Sequence, residues 1–184
     1  MSDDYVALLR GINVGGRNAV AMADLVALVA EQGHTGVSTL LQSGNVMFTA
    51  RDTTPAQLEE SLGRALGERF GFEIPTLVRS HAELAATVAG APAGHGSPEL
   101  RSDVFFLARS LDVATVLAEL PELRDGVDAV APGPGALYFS RVAAQAGRTR
   151  ITRLMALPVF RSMTVRSWST TTRLLQRLDQ RRPA

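Results

Sequence analysis

Tyr5-Val6-Ala7-Leu8-Leu9-Arg10-Gly11-Ile12-Asn13-Val14-Gly15-Gly16-Arg17-Asn18 opens as an apolar strand and ends as a polar turn. In the strand candidate, Tyr5–Arg10, the residues Tyr5, Ala7 and Leu9 alternate with Val6 and Leu8, so both faces are apolar and burial on both sides is expected. The turn combines Gly11, Gly15 and Gly16 with Asn13, Asn18, Arg10 and Arg17, placing backbone N–H groups, amides and cationic forks in a loop. A second polar turn, Gln42-Ser43-Gly44-Asn45, also follows a strand-like run.

Outward from this stretch, Met22–Gln32 carries Met22, Leu25, Val26, Leu28 and Val29 at helical spacing and is stopped by Gly33. Val37–Gln42 and Val46–Thr49 flank Ser43-Gly44-Asn45 and read as a hairpin. Pro55–Phe70 reads as a helix with Pro55 in its first turn, and Glu73–Arg79 as a fourth strand. The order β-α-β-β-α-β is the split βαβ, or ferredoxin-like, arrangement. A helix at His81–Ala89 and a Gly/Pro/Ala/Ser-rich stretch, Gly90–Pro98, come next. Then the order starts again. A strand at Asp103–Ala108 precedes a short helix at Val113–Glu119, and Gly126–Val130 pairs with Ala136–Phe139 around Pro132-Gly133-Pro134-Gly135. A helix around Arg148–Ala156, a strand at Arg161–Arg166 and a helix at Thr170–Asp179 complete the chain.

The expected fold is therefore α+β, with duplicated ferredoxin-like (βαββαβ) halves and antiparallel sheets. The halves are expected at residues 1–90 and 100–184, joined by a linker at 91–99. The repeat is one of topology, without a convincing residue-level repeat. First strands that are apolar on both faces need cover where the helices leave them bare, and the other half is the nearest candidate.

With 184 residues, 46% of them hydrophobic, the chain can bury a real core. No apolar run reaches the ~18 residues of a membrane-spanning helix. The start, Met1-Ser2-Asp3-Asp4, is acidic where a signal peptide is basic, so a cytoplasmic protein without a membrane partner is expected. The absence of cysteine excludes disulfides, a thiolate nucleophile and Cys-based zinc or iron–sulfur sites. All 19 basic residues are arginine, a pattern of composition bias, yet their placement is uneven. Residues 1–140 hold nine Arg against 17 Asp and Glu, net −8, whereas residues 141–184 hold ten Arg and only Asp179, net +9. Such a basic segment meets phosphates or faces the acidic remainder of its own fold, and the second reading is favoured.

In the expected topology the first two strands run parallel, so both polar turns lie at one end of the sheet, where the first helix also starts. Its unpaired N–H groups make an anion the natural guest. Arg10 and Arg17 are suited to phosphate or carboxylate, and Asn13, Asn18, Gln42 and Asn45 to sugar or base edges, with Gly15, Gly16, Ser43 and Gly44 completing the candidate ligand-binding set. The loop is neither a Walker P-loop nor a G-x-G-x-x-G fingerprint. A purely structural reading stands beside the functional one, because Gly and Asn also serve turns that need positive φ.

His34, His81 and His95 lack metal-ligand spacing and are expected at the surface or in caps; no metal or cofactor is expected. There is no G-x-S-x-G elbow, and Ser43 has no identifiable His partner. Arg166 and Trp168 form a secondary candidate, with the indole stacking on a base, against the alternative that it packs in the core. Three functions remain open. The leading one is a binding module for a phosphate-bearing ligand, nucleotide or nucleic acid. The others are an enzyme acting on a small acidic or phosphorylated metabolite, for which no base is evident, and a structural or protein-interaction domain in which the turns are only turns.

Tyr5 to Gly16, Met22-Ala23-Asp24-Leu25 and Leu41-Gln42-Ser43-Gly44-Asn45-Val46 closely resemble the bacterial domain-of-unknown-function family 1697 (DUF1697). Thr164–Thr170 resembles that family's C-terminal signature, with Arg166-Ser167-Trp168-Ser169-Thr170 where an Arg-Asn-Trp-Asn-Thr pattern is typical. The resemblance implies a duplicated ferredoxin-like α+β fold and no known reaction.

Overall fold

A computed structural model describes residues 2–182; Met1, Pro183 and Ala184, which the expected halves include, lie outside the described residues. Contacts divide the chain into two compact units. One runs to Leu84 and takes in the residues from Leu174 on; the other is Ala85–Arg173. The fold is mixed α+β, with one four-stranded antiparallel sheet in each repeated half.

In the first unit, β1 (Ser2–Leu9), α1 (Met22–Glu31), β2 (Thr35–Thr39), β3 (Asn45–Arg51), α2 (Pro55–Phe70) and β4 (Thr76–Ser80) follow one another. The sheet order is β2-β3-β1-β4, and every neighbouring pair is antiparallel. Since β1 and β2 both run against β3, they are parallel to each other. Tyr5, Ala7 and Leu9 join Val46, Phe48 and Val78 in one core with Leu25, Leu28 and Val29 of α1 and Leu58, Leu62 and Leu66 of α2. Each such leucine contributes about 1.5–3 kcal/mol through the apolar surface it removes from water. Val6 and Leu8 are as deeply buried as their neighbours, so β1 is buried on both faces as its composition requires. Helix α2 starts at a capping box, in which Thr54 accepts from the Gln57 N–H and Gln57 returns to the Thr54 N–H, and ends on Gly71 at φ +77°.

The second half repeats the pattern. After α3 (His81–Ala89) come β5 (Leu100–Leu107), α4 (Val113–Ala118), β6 (Asp128–Gly133) and β7 (Ala136–Val142). Short helix α5 (Ile151–Met155) lies between 3-10 turns at Ala143–Arg148 and Pro158–Ser162, ahead of β8 (Met163–Ser167) and α6 (Trp168–Asp179). The order β6-β7-β5-β8 matches that of the first sheet place for place. Phe105, Leu107, Leu137 and Phe139 form its core with Val116, Leu154 and Met163.

The repeat extends to residues, which the sequence alone did not reveal. Arg79 faces Val6 across the first sheet, and Arg166 faces Val104 across the second. Both arginines are buried, and each donates through Nη1 to the carbonyl of the valine before it, at 3.0 Å to Val78 and 2.8 Å to Val165. Both segments read Val-Arg-Ser. Likewise Leu9 N–H donates to the Gly44 carbonyl (2.8 Å) as Leu107 N–H does to the Gly135 carbonyl (3.0 Å).

Several boundaries differ from expectation for local reasons. The second strand ends at Thr39 rather than Gln42, because Leu41 turns to φ +61° and Leu40 N–H closes onto the Asn45 carbonyl. The fourth begins at Thr76 rather than Glu73, since Pro75 has no N–H for a ladder and gives its carbonyl to Arg10 N–H (2.9 Å). The helix expected around Arg148–Ala156 is broken into short pieces, and the Asp128 carboxylate takes up Thr149 Oγ1 and Arg150 N–H at the break. The last helix starts two residues early, because Ser167 Oγ accepts the Thr170 N–H (3.2 Å) and caps it.

Candidate functional site

At the end of the first sheet where β1 and β2 finish, the two polar turns are bonded together. Asn13 stands at φ +55°, its N–H donating to the Asn18 carbonyl (3.0 Å). Asn13 Oδ1 accepts Val20 N–H (2.8 Å), while Nδ2 donates to the Val20 carbonyl (2.9 Å) and to the Gln42 carbonyl (3.1 Å). That last bond crosses between the turns. Asn18, at φ +52°, donates through Nδ2 to the Gly11 carbonyl (3.0 Å), and Val14 bridges Arg17 across the tip. Buried Asn45 donates to the Leu40 carbonyl (2.9 Å) and to Ser43 Oγ (3.0 Å), holding the second turn.

The asparagines thus act on the backbone. What they shape is an open cleft of about 390 Å³, lined by Asn13, Gly16, Arg17, Gln42 and the run Ala19–Met22 that leads into α1. Of the expected set, Arg10, Gly15, Asn18, Ser43, Gly44 and Asn45 do not line it. The sequence reading missed Ala19–Met22, which carries no side-chain chemistry and enters through its backbone. The cap residue Ala21 makes no side-chain cap, so the N–H groups of the first turn of α1 are left without an intrahelical or side-chain acceptor. Arg17 and Gln42 are exposed, and their side chains have no partner among the described residues. The acidic residue in that first turn is Asp24, which opposes an anion.

The second half is an internal control for what the fold itself needs. From β5 to α4 the chain crosses with residues 108–112, whereas β1 to α1 takes residues 10–21, more than twice as many. Its hairpin turns with Pro134-Gly135 alone, against residues 40–44 in the first half. Helix α4 is capped by its own Asp112, whose Oδ2 accepts Thr115 N–H (2.9 Å), where α1 has only Ala21. The first half therefore carries a longer loop, a longer turn and an uncapped helix where the second has none of them.

At the secondary candidate, Arg166 is 8% exposed, bonded to Thr164 Oγ1 (2.9 Å) and the Val165 carbonyl, and burial lowers its pKa to about 10. Trp168 is half-buried with its ring edge-on to His95 at 4.9 Å. Part of the basic C-terminal segment meets acidic groups of its own unit: Arg141 pairs with Asp103 (2.6 Å), Arg150 with Glu122 (2.8 Å), and Arg182 lies 3.9 Å from Asp3. None of the three histidines is simply a surface group. His34 stacks on Phe48, His81 Nε2 bonds Asp179 (2.6 Å) with Arg182 on Nδ1 (2.9 Å), and His95 is enclosed by aromatic rings.

The sequence pattern of a family described as protein of unknown function (DUF1697) matches residues 2–138. No curated protein matches the chain. Among solved structures, it is similar to the conserved bacterial protein SP0830 from Streptococcus pneumoniae, with a TM-score of 0.86 and 28% identity, over 97% of this chain and 99% of that one.

Proposed function

Since the chain belongs to the DUF1697 family, whose description assigns no reaction, we propose that it binds a phosphate-bearing ligand in the cleft between residues 10–18 and 42–45. The difference between the halves carries this reading: a fold that makes the same strand-to-helix crossing with residues 108–112 has no structural need for residues 10–21. Arg17 supplies a bidentate cation and the start of α1 supplies oriented N–H donors, which together suit phosphate oxygens. Gln42 is placed to read a neighbouring polar group of the same ligand. Each half is read as ferredoxin-like, a reading supported by the matching sheet orders and by the element order β-α-β-β-α-β. We place the protein in the cytoplasm; no described helix is long and apolar enough to cross a membrane.

Nitrogen-15-labelled protein titrated with inorganic phosphate, nucleoside monophosphates and short RNA or DNA tests the proposal. Amide shifts at Gly15, Gly16 and Gly44 that vanish in Arg17→Ala are expected. No shift at millimolar ligand overturns it. A nucleic-acid ligand shows affinity falling steeply with salt, a mononucleotide a far shallower dependence.

A further inference from the structure

His95 sits in the middle of the stretch read as a linker, yet its ring lies edge-on between Tyr138 (5.3 Å) and Trp168 (4.9 Å). Both ring nitrogens are buried and without a hydrogen-bond partner among the described residues. An imidazole always carries at least one N–H and one further polar nitrogen, so this environment suits it only as the neutral, least polar form. The segment is wound tightly to place it: His95 N–H donates to the Pro92 carbonyl (3.0 Å), Ser97 N–H to the Gly94 carbonyl (3.0 Å) and Gly96 N–H to Ser102 Oγ (2.9 Å). Gly96 lies so close to the indole that a Cβ there would stand 2.1 Å from Trp168 Cδ1.

Two open clefts flank this packing. One, about 380 Å³, is lined by Pro92, His95, Leu100, Asp128, Tyr138 and their neighbours; the other, about 350 Å³, by Gly96, Leu100, Asp103, Arg141, Trp168 and theirs. His95 lines the first and the adjoining Gly96 the second, with Leu100 on the wall of both.

We propose that His95 is a proton-released plug: neutral, it locks residues 92–97 against Tyr138 and Trp168; protonated, it leaves, joins the flanking clefts and exposes the indole.

The charged groups around the ring do not compensate an imidazolium. Asp103 on β5 is drawn off by Arg141 of β7 at 2.6 Å. Asp128 on β6 already accepts from Thr149 Oγ1 (2.6 Å), Arg150 N–H (2.8 Å) and Arg124 N–H (3.1 Å). Arg101 and Arg141 in the adjoining cleft repel a second cation, and the 167–170 segment brings no charged side chain. Burial accordingly lowers the His95 pKa, with Asp103 only partly opposing it. Leaving restores two hydrogen bonds to water.

Trp168 is the sole tryptophan, so intrinsic fluorescence reads the plug directly. Emission and acrylamide quenching are followed from about pH 8 to about pH 5, alongside far-ultraviolet circular dichroism. The expected result is a red shift with a rise in quenching, at a midpoint below ~6.5 and with secondary structure intact. Both changes disappear in His95→Phe, which keeps an apolar ring, and in His95→Gln, which does not titrate. In Gly96→Ala the segment cannot close, so Trp168 is quenched as strongly at high pH as the wild type is at low pH. A flat profile overturns the proposal, as does a transition that survives in both His95 variants. A change in emission without a gain in quenching, or quenching that rises only with global unfolding, also overturns it.

Discussion

Asn13 Nδ2 donates to the Gln42 carbonyl at 3.1 Å, joining the loop after β1 to the turn before β3, while the same side chain closes a two-bond ring with the Val20 backbone. One amide thus sets the shape of the cleft. Replacing it by Asp keeps the acceptor for Val20 N–H and removes both donors. Asn13→Asp is expected to lower stability by about 1–2 kcal/mol at neutral pH, and Asn13→Ala by more, since it also leaves Val20 N–H unpaired and retains a side chain at positive φ. Urea midpoints of wild type and the two variants separate the contributions: an Asn13→Asp midpoint equal to that of wild type would show that the donors contribute nothing, and equal midpoints for the two variants that the acceptor contributes nothing.

The glycines of the two turns separate close packing from backbone conformation. A Cβ on Gly44 would lie 2.8 Å from Leu9 Cβ and 3.0 Å from Ile12 Cδ1, at φ +76°; on Gly15, at φ +60°, it meets open space. Gly15→Ala is expected to cost about 1 kcal/mol, from the left-handed backbone alone. Gly44→Ala adds overpacking and costs roughly 2–4 kcal/mol. Thermal melts order the variants, and the reverse order contradicts the assigned contacts.

Leu41 is a bulky residue held at φ +61° with half of its surface exposed. A left-handed leucine is strained by about 1–2 kcal/mol, which an asparagine largely relieves. Leu41→Asn should raise the urea midpoint, corresponding to about 0.5–1 kcal/mol. If the proposed ligand is bound through this turn, the more stable variant binds no better than wild type.

Asp24 is the acidic residue in the first turn of α1, whose N–H donors the proposed ligand needs. Its replacement by Asn removes a like charge from the first turn of α1 and is expected to tighten phosphate binding by roughly two- to fivefold at low salt, corresponding to about 0.3–1 kcal/mol. Titration calorimetry at two ionic strengths checks it, and the gain should shrink as salt rises.

Acid should weaken the first unit through His34, which stacks on Phe48 and whose pKa burial lowers. Between the folded value and the unfolded ~6.5 the unfolded chain binds more protons, so stability is complete above ~6.5 and declines as pH falls toward the folded value. His34→Gln should flatten the fall in the urea midpoint between about pH 7.5 and pH 5.5, leaving the remaining share to His95, which is shifted in the same direction. An unchanged slope would remove His34 as a cause.

Element types and their order were readable from the chain because they rest on local physics. The apolar run over Tyr5–Arg10, helical spacing over Met22–Gln32, and Pro55 in the first turn of α2 each act within a few residues. The meeting of the two polar turns was also legible, since it follows from β1 and β2 running parallel. Local chemistry carries no further than that. Asn13 and Asn45 look alike as polar turn residues, yet one crosses between turns and the other is buried against its own.

Tertiary structure decided the rest. The equivalence of Arg79 and Arg166 appears only when the two sheets are laid in register, because three shared letters are too few to mark a repeat. The excess of residues 10–21 over 108–112 becomes meaningful for the same reason. His95 is the sharpest case: glycine, proline and alanine around it read as a free connection, and only partners more than 40 residues further along the chain, Tyr138 and Trp168, enclose its ring. Burial is a property of the packed chain, and a histidine's neighbours in space, not its neighbours in sequence, set whether it can hold a proton.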